Sequence, residues 1–410
     1  MTNLISPPDA RAECPACSSR EATSFFTIEN VPAHSVLLME TQAQAVSYPR
    51  GRIDLHRCPV CGFIFNEAFD PSLHQYSERY EETQGFSSTF REFHQRLAER
   101  LIEVWNLRGK RVLEIGCGKG EFLALLCELG GNAGVGFDPS FVPERGPRTT
   151  GVDVRFHRET YPPHASAAVL EAPPDFVCCK MTLEHIPDVR DFVTDVRRSL
   201  PAKSGTVSFF QVPNAERVFR DAAFWDIYYE HCSYFTRASL TRLFETCGFR
   251  VAEVWTDYDD QYLMISAVTS ELDSVPESRA SPSVGVENGR GASPDLGTFA
   301  ERVASDAAAW RSRIGAEVEG GGSVCLWGAG SKAVAFLSIV GGADHVSFAV
   351  DINPHKVGTY LPGSGLEIVG PEGLRGRAPT LVIAMNPVYV AEIGVDMRRM
   401  GMSASVEAVA

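Results

Sequence analysis

The sequence predicts an α/β protein: a doubly wound, mainly parallel sheet, preceded by a cysteine-rich segment and followed by a second, smaller α/β domain. Three observations lead there. Strand-like apolar runs alternate with helical stretches between 111 and 213, a Ser/Pro/Gly-rich stretch at 271–297 breaks the pattern, and alternation resumes from 298. Such alternation implies parallel strands whose connecting helices cover both faces of the sheet.

At 410 residues and 44% hydrophobic, the chain carries apolar material for two or three separate cores, since single domains usually run about 100 to 200 residues. No window approaches the roughly 18 consecutive apolar residues of a membrane span, and the opening MTNLISPPDARAEC has no basic start followed by an apolar core. The expectation is a soluble, cytoplasmic protein with no membrane partner. A formal net charge of −14 opposes a phosphate backbone, and no long basic run offers a local exception, so nucleic acid is not the expected partner. The 11 cysteines then read as thiols or metal ligands rather than a disulfide framework.

Four of them come in two pairs, Cys14-Pro-Ala-Cys17 and Cys58-Pro-Val-Cys61-Gly62. Each pair can present two thiolates to one tetrahedral zinc ion, and a full four-cysteine shell leaves no position for a reacting water. The expected metal is therefore structural, and a loop or small hairpin must fill the long gap from Cys17 to Cys58.

The next elements read in order as the strand RVLEIG, a helix from about Glu121 to Leu129, the strands AGVGFD and DFVCCK, a helix from Asp188 to Leu200, and the strand TVSFFQV. Between the first strand and its helix lies Gly116-Cys-Gly118-Lys-Gly120. Glycines let the backbone approach a ligand and take positive φ, and the helix start offers free N–H groups to a carboxylate. The second strand ends at Asp138, placed to accept both hydroxyls of a ribose. The GxGxG spacing, with Glu114 just before it, resembles motif I of class I S-adenosylmethionine (SAM) methyltransferases, which implies that Glu114, Gly116, Gly118, Gly120 and Asp138 hold the cofactor. Cys117 and Cys127 read as small packed residues.

Further on, FWDIYYEHCSYFT crowds Tyr228, Tyr229, Glu230, His231 and Tyr234 into seven positions. A histidine can take a proton near neutral pH, a carboxylate can orient it, and a tyrosine hydroxyl can donate to a developing oxyanion. The set suits proton removal beside a carbonyl. YYEHCSYF resembles the YxEHxSYF segment of nucleotide-sugar C-methyltransferases of deoxysugar pathways, which carry a zinc-binding N-terminal domain, a SAM domain and a C-terminal Rossmann-like domain. The likeness covers nearly the whole chain. It implies His231 as general base, with Tyr228 and Glu230 lining the sugar site, and Leu183-Glu184-His185-Ile186 resembles a further family segment that makes His185 a second substrate-side histidine.

The stretch 271–297 cannot bury enough surface to hold one conformation and reads as a flexible linker. The parts are then a zinc-binding domain (1–75), a SAM-dependent methyltransferase domain (76–270), the linker, and a C-terminal Rossmann-like domain (298–410). In the last, a helix over 298–318 precedes the strands SVCLW, HVSFAVDI and PTLVIAM, with Gly328-Ala-Gly330-Ser-Lys332-Ala after the first and Asp351 closing the second. Taken alone, that is a dinucleotide fingerprint; the resemblance implies closure over a nucleotide-sugar instead, and NAD stays open. HKVGTYLPGS and AMNPVY resemble family segments, and Tyr80, Lys332, Asn386 and Tyr389 are the candidate substrate-binding residues. Two stretches depart from the family wording, IENVPAHSVLL near the N-terminus and Gln211-Val-Pro-Asn214 where the family is more acidic.

The expected activity is SAM-dependent C-methylation of a nucleotide-linked 4-ketosugar through an enolate, a reaction of secondary metabolism. The alternative is O-, N- or C-methylation of another small metabolite on the same scaffold.

Overall fold

A computed structural model of the chain describes residues 4–5, 11–73, 77–161, 172–201, 205–269 and 295–410. Of the expected linker, 271–294 falls outside the described residues, and residues 295–297 lead directly into a helix. Three sheets organise the described chain.

The first is antiparallel, from β1 (Leu4–Ile5), β2 (Arg11–Ala12), β3 (Ala22–Pro32), β4 (Arg50–Arg57) and β5 (Ile64–Asn66). The gap between the cysteine pairs is thus largely a long β3–β4 hairpin. Its connection carries a helix, Gln42–Val46, and reaches the C-terminal part through a Met39–Tyr360 bridge. The sixth strand comes from far along the chain: β11 (Ser233–Tyr234), inside the YYEHCSYF segment, pairs antiparallel with β5.

The second sheet holds β6 (Arg111–Ile115), β7 (Ala133–Phe137), β8 (Val154–His157), β9 (Phe176–Lys180), β10 (Val207–Pro213), β12 (Arg250–Asp257) and β13 (Tyr262–Val268). Their order is β12-β13-β10-β9-β6-β7-β8. Because strand side chains alternate between faces, Val112, Cys178, Phe209 and Met264 pack with the helices Ser88–Trp105 and Glu121–Gly130. Their neighbours Leu113, Val177, Phe210 and Ile265 pack with the helices Val189–Ser199 and Arg237–Thr246. This is the doubly wound class I SAM methyltransferase arrangement, with the direction of winding reversing between β6 and β9. Ligand crevices form outside the carboxyl ends of the strands at such a reversal.

The sheet is not parallel throughout. β13 runs antiparallel to both β10 and β12, and the β12–β13 turn passes through Tyr258, Asp259 and Asp260, all at positive φ.

The third sheet is wholly parallel, in the order β16-β15-β14-β17-β18, from β14 (Val324–Trp327), β15 (Val346–Val350), β16 (Ile368–Val369), β17 (Leu381–Ala384) and β18 (Ser405–Ala408). The helix Phe299–Glu319 precedes it and packs backward: the Phe299 ring lies edge-on to Phe26 of β3 at 4.9 Å and to Phe219 at 5.0 Å. No helix among the described residues is long and apolar enough to cross a membrane.

Candidate active site

A cavity of about 580 Å³ opens where the second and third sheets meet, lined from the glycine loop after β6, the Tyr228–His231 segment and the glycine loop after β14. Two loops of the kind that hold nucleotides therefore face one space.

In the first loop Gly116, Gly118 and Gly120 have φ of 69°, 55° and 83°. A Cβ at Gly116 would overlap the Thr182 side chain, and one at Gly120 the Phe156 ring, so the tight path needs residues without one. Asp138 Oδ2 accepts from the Gly118 N–H at 2.8 Å, and its Oδ1 accepts from the Ser140 N–H at 2.7 Å and the Ser140 hydroxyl at 2.6 Å. The acid at the end of β7 thus shapes the loop as well as facing the cavity. Glu114 is buried, and its Oε2 has no hydrogen-bond partner; burial pushes its carboxyl up to about 7 against the pull of Lys180. Lys119, which lies within the loop, is turned onto the Tyr80 carbonyl at 2.9 Å and the Ser140 carbonyl at 3.2 Å, tying Tyr80 to the cavity wall.

On the opposite side, the Tyr228 hydroxyl and His231 Nε2 are 2.7 Å apart, and the His185 ring stands edge-on to His231 at 4.9 Å. All three residues line the cavity. The turn Leu183–His185 is stitched to the motif: the Cys232 thiol donates to the Glu184 carbonyl at 3.6 Å, and the Ser233 hydroxyl to the Ile186 carbonyl at 2.8 Å. That stitching brings the two histidines together.

Glu230 lies elsewhere. The reading that it lines the sugar site meets a different placement, because its side chain is absent from the cavity wall and is buried against His34 Nδ1 at 2.9 Å and the Ser35 hydroxyl. Residues 228–231 form a turn closed by the His231 N–H on the Tyr228 carbonyl at 3.1 Å, which sets Tyr228 and His231 on the cavity and leaves Glu230 facing the N-terminal segment. The Ser35 oxygen in turn accepts from the Ser331 hydroxyl at 2.8 Å, at the start of the helix Ser331–Val340. The His34-Ser35 pair sits inside the IENVPAHSVLL stretch, whose unusual wording was the one available signal for it.

The remaining candidates all reach the cavity. The Lys332 ammonium pairs with Asp226, which also takes Arg217 at 3.3 Å. Asn386 and Gln261 exchange two amide hydrogen bonds of 3.0 Å each. The Tyr389 hydroxyl accepts from Tyr258 at 2.8 Å and donates to Gln84 at 2.9 Å. Asp351, at the end of β15, is engaged by the Ala329 N–H at 3.0 Å, the Asn353 N–H at 2.9 Å and the Lys356 ammonium at 3.4 Å. The partners Asp226, Gln261 and Gln84 carried no sequence signal, since each is defined by a contact across elements.

Away from the cavity, Cys14, Cys17, Cys58 and Cys61 converge with all four sulfurs within 4.8 Å of one another. Cys14–Cys61 and Cys17–Cys58 are each 3.6 Å apart.

Residues 85–254 match the family described as a methyltransferase domain, and residues 287–405 match the family described as a C-methyltransferase C-terminal domain. The chain is a SAM-dependent methyltransferase. Its relatives include the C-methyltransferase NovU of Streptomyces niveus, 25% identical over 409 residues, or 96% of this chain and 93% of that one. A SAM-dependent methyltransferase of Aquifex aeolicus aligns at a TM-score of 0.32 and 18% identity, over 42% of this chain and 89% of its own. Magnesium protoporphyrin IX methyltransferase of Synechocystis PCC 6803, solved with bound SAM, aligns at 0.31 and 18%, over 46% and 86%. Both matches span less than half of this methyltransferase. The match to the C-terminal family places it with the C-methyltransferases.

Proposed function

We propose that this enzyme methylates a carbon next to the keto group of a nucleotide-linked 4-ketosugar, with His231 as the base. The observation that carries the reading is the Tyr228–His231 pair at 2.7 Å, facing the same cavity as both glycine loops.

The cofactor end of the cavity suits SAM. Gly116 and Gly118 clear a backbone approach, Glu114 offers an acceptor oxygen that no protein group takes, and Asp138 stands at the strand end where a ribose is held. When bound there, SAM supplies the electrophilic methyl group.

The chain's own residues handle the proton. A neutral imidazole accepts the Tyr228 O–H at Nε2; with substrate bound the phenol turns to donate to the substrate carbonyl oxygen, and the freed Nε2 takes the proton from the neighbouring carbon as that oxygen becomes the enolate oxygen. Burial holds the Tyr228 hydroxyl well above its ordinary pKa, which keeps it a donor. His185, Asn386, Tyr389 and Lys332 are proposed to grip the sugar and its diphosphate from the other walls, with Lys332 leaving Asp226 to do so. NovU is the relative that motivates a C-methylation.

The four sulfurs are proposed to hold one structural zinc ion. Tetrahedral Zn–S bonds of about 2.3 Å place sulfurs about 3.8 Å apart, close to the 3.6 Å separations.

The test is mass spectrometry of reactions with SAM and a panel of nucleotide-4-ketosugars, run in heavy water beside a panel of sugar-free acceptors. A sugar product heavier by one methyl, with deuterium entering at the neighbouring carbon, supports the reading. Methylation only of a sugar-free acceptor overturns it and leaves the methyltransferase.

A further inference from the structure

Glu184 is a fully buried carboxyl beside the active site, and the mechanism above does not use it. Its side chain is 0% exposed, and neither carboxylate oxygen has a hydrogen-bond partner. Such a group costs about 1 to 3 kcal/mol or more when nothing satisfies it, and one of the readier explanations for so costly a placement is chemistry. Its Oε1 lies 4.0 Å from His231 Nε2. One carboxylate oxygen of Glu184 and one ring nitrogen each of His185 and His231 fall within 4.8 Å of one another.

We propose that Glu184 is the positioning residue of the base: its carboxylate is the counter-ion that holds the His231 imidazolium once His231 has taken the substrate proton. The inference rests on the reading of His231 as base. In the step, the C–H proton moves to the imidazole, the C–H electron pair stays on the substrate as the enolate, and Glu184 keeps its charge throughout. The proton leaves His231 for solvent after the product departs.

The surroundings fit that task. The groups facing Glu184 are His185 on its own turn, Tyr228, His231 and Cys232 from the motif segment, Cys179 from β9 and Tyr262 from β13, with Asp188 a little further on along the chain. None is a lysine or arginine. Burial accordingly pushes the Glu184 carboxyl up to about 8. A carboxyl with no permanent cation beside it has its charge unspent, ready for a cation that exists only during turnover; a surface acid already paired with arginine could not do this. The Tyr228 hydroxyl lies 2.7 Å from the same nitrogen, so the phenol and the Glu184 carboxylate both approach His231 at Nε2, and the phenol's departure leaves that nitrogen to Glu184.

The sign follows from the active form. Turnover needs neutral His231 and ionised Glu184, so the rate rises with pH as the pair loses its last proton. With Glu184→Gln, the rising limb belongs to His231 alone and lies at lower pH, because the neighbouring negative charge that favoured the imidazolium is gone.

The test uses the full-length enzyme in two measurements. Histidine-labelled protein, with the His231 resonances assigned by their loss in His231→Gln, is titrated by NMR as wild type and as Glu184→Gln. The expected wild-type curve has two coupled steps, the upper near about 8, and the variant has one step at lower pH. The pH profile of methyl transfer is expected to lose its upper limb in Glu184→Gln, with a plateau lower by about tenfold, the equivalent of one pKa unit removed from the base. Glu184→Asp, which keeps the charge on a shorter arm, should recover part of the wild-type profile. Superimposable His231 titrations in wild type and Glu184→Gln overturn the proposal, as does a Glu184→Gln enzyme of undiminished rate. Coupled titrations in a protein that methylates no ketosugar support the pairing and overturn the sugar reading alone, so the two fail separately.

Discussion

The Glu230 carboxylate and the His34 Nδ1 lie 2.9 Å apart although 196 positions separate them, and both side chains are buried. The pair joins the Tyr228–Tyr234 segment to the N-terminal part, and Ser35 carries the connection on to Ser331 of the C-terminal part. Replacing Glu230 with alanine strands the His34 and Ser35 donors in a dry site. Removing one member of a buried, hydrogen-bonded pair costs about 3 to 5 kcal/mol, so Glu230→Ala should lower the urea midpoint sharply. A variant of wild-type stability that had simply lost turnover would return Glu230 to the chemistry.

His231→Ala removes the proposed base without touching the glycine loop. Turnover should fall by about 10² to 10⁴-fold while calorimetry shows SAM binding within a small factor of wild type. Tyr228→Phe should fall less and chiefly in kcat, since its hydroxyl acts once charge develops.

Asp138 has two tasks, and its loss should show both. Asp138→Ala removes the acceptor of the Gly118 N–H as well as the carboxylate at the strand end. Hydrogen bonds to a charged group contribute about 1.5 to 3 kcal/mol, which corresponds to SAM binding weaker by roughly 10 to 150-fold. Unchanged cofactor affinity by calorimetry would remove Asp138 from the site.

Purified protein should contain one zinc ion per chain by elemental analysis, and Cys58→Ser should lose it. Cys61 is three residues before β5, β5 pairs with β11, and β11 begins two residues after His231. Loss of the metal should therefore reduce methyl transfer along with N-terminal stability, although no cysteine of the cluster lines the cavity. Full activity in a zinc-free variant would separate the two.

Glu184 also makes a stability prediction. Its carboxyl, raised from 4.5 to about 8 on folding, binds a proton in the folded chain that the unfolded chain has released, so its contribution declines as pH rises from about 5 through 8. Glu184→Gln should equal wild type in urea denaturation near pH 5 and exceed it near pH 9. A variant less stable than wild type at both pH values would contradict the buried, unpaired state of the carboxyl.

The parts that could be read from the sequence are those written in adjacent residues. β6, β7, β9 and β10 announce themselves as buried apolar runs, the glycines after β6 mark a turn that side chains would block, and Gly328 after β14 takes a φ of 107°. The β12–β13 hairpin escaped because its turn uses Tyr258, Asp259 and Asp260 at positive φ in place of a glycine, and because β12 is half-buried along its whole length, which blurs its alternation. Glu230 and Glu184 show the same limit at the site. Each sits directly before a histidine that faces the cavity, yet one is held by residues near position 34 and the other by burial between sheets. Neither environment leaves a trace in neighbouring residues.

The borrowed strand β11 sets an order on biosynthesis. Until Tyr234 has left the ribosome, the β5 edge of the first sheet has no partner, although every cysteine of the cluster was made more than 170 residues earlier. Capture of the proposed zinc ion can thus precede completion of the sheet, and a nascent chain halted before that strand presents an open edge of backbone N–H and C=O groups, the surface through which strands recruit other chains.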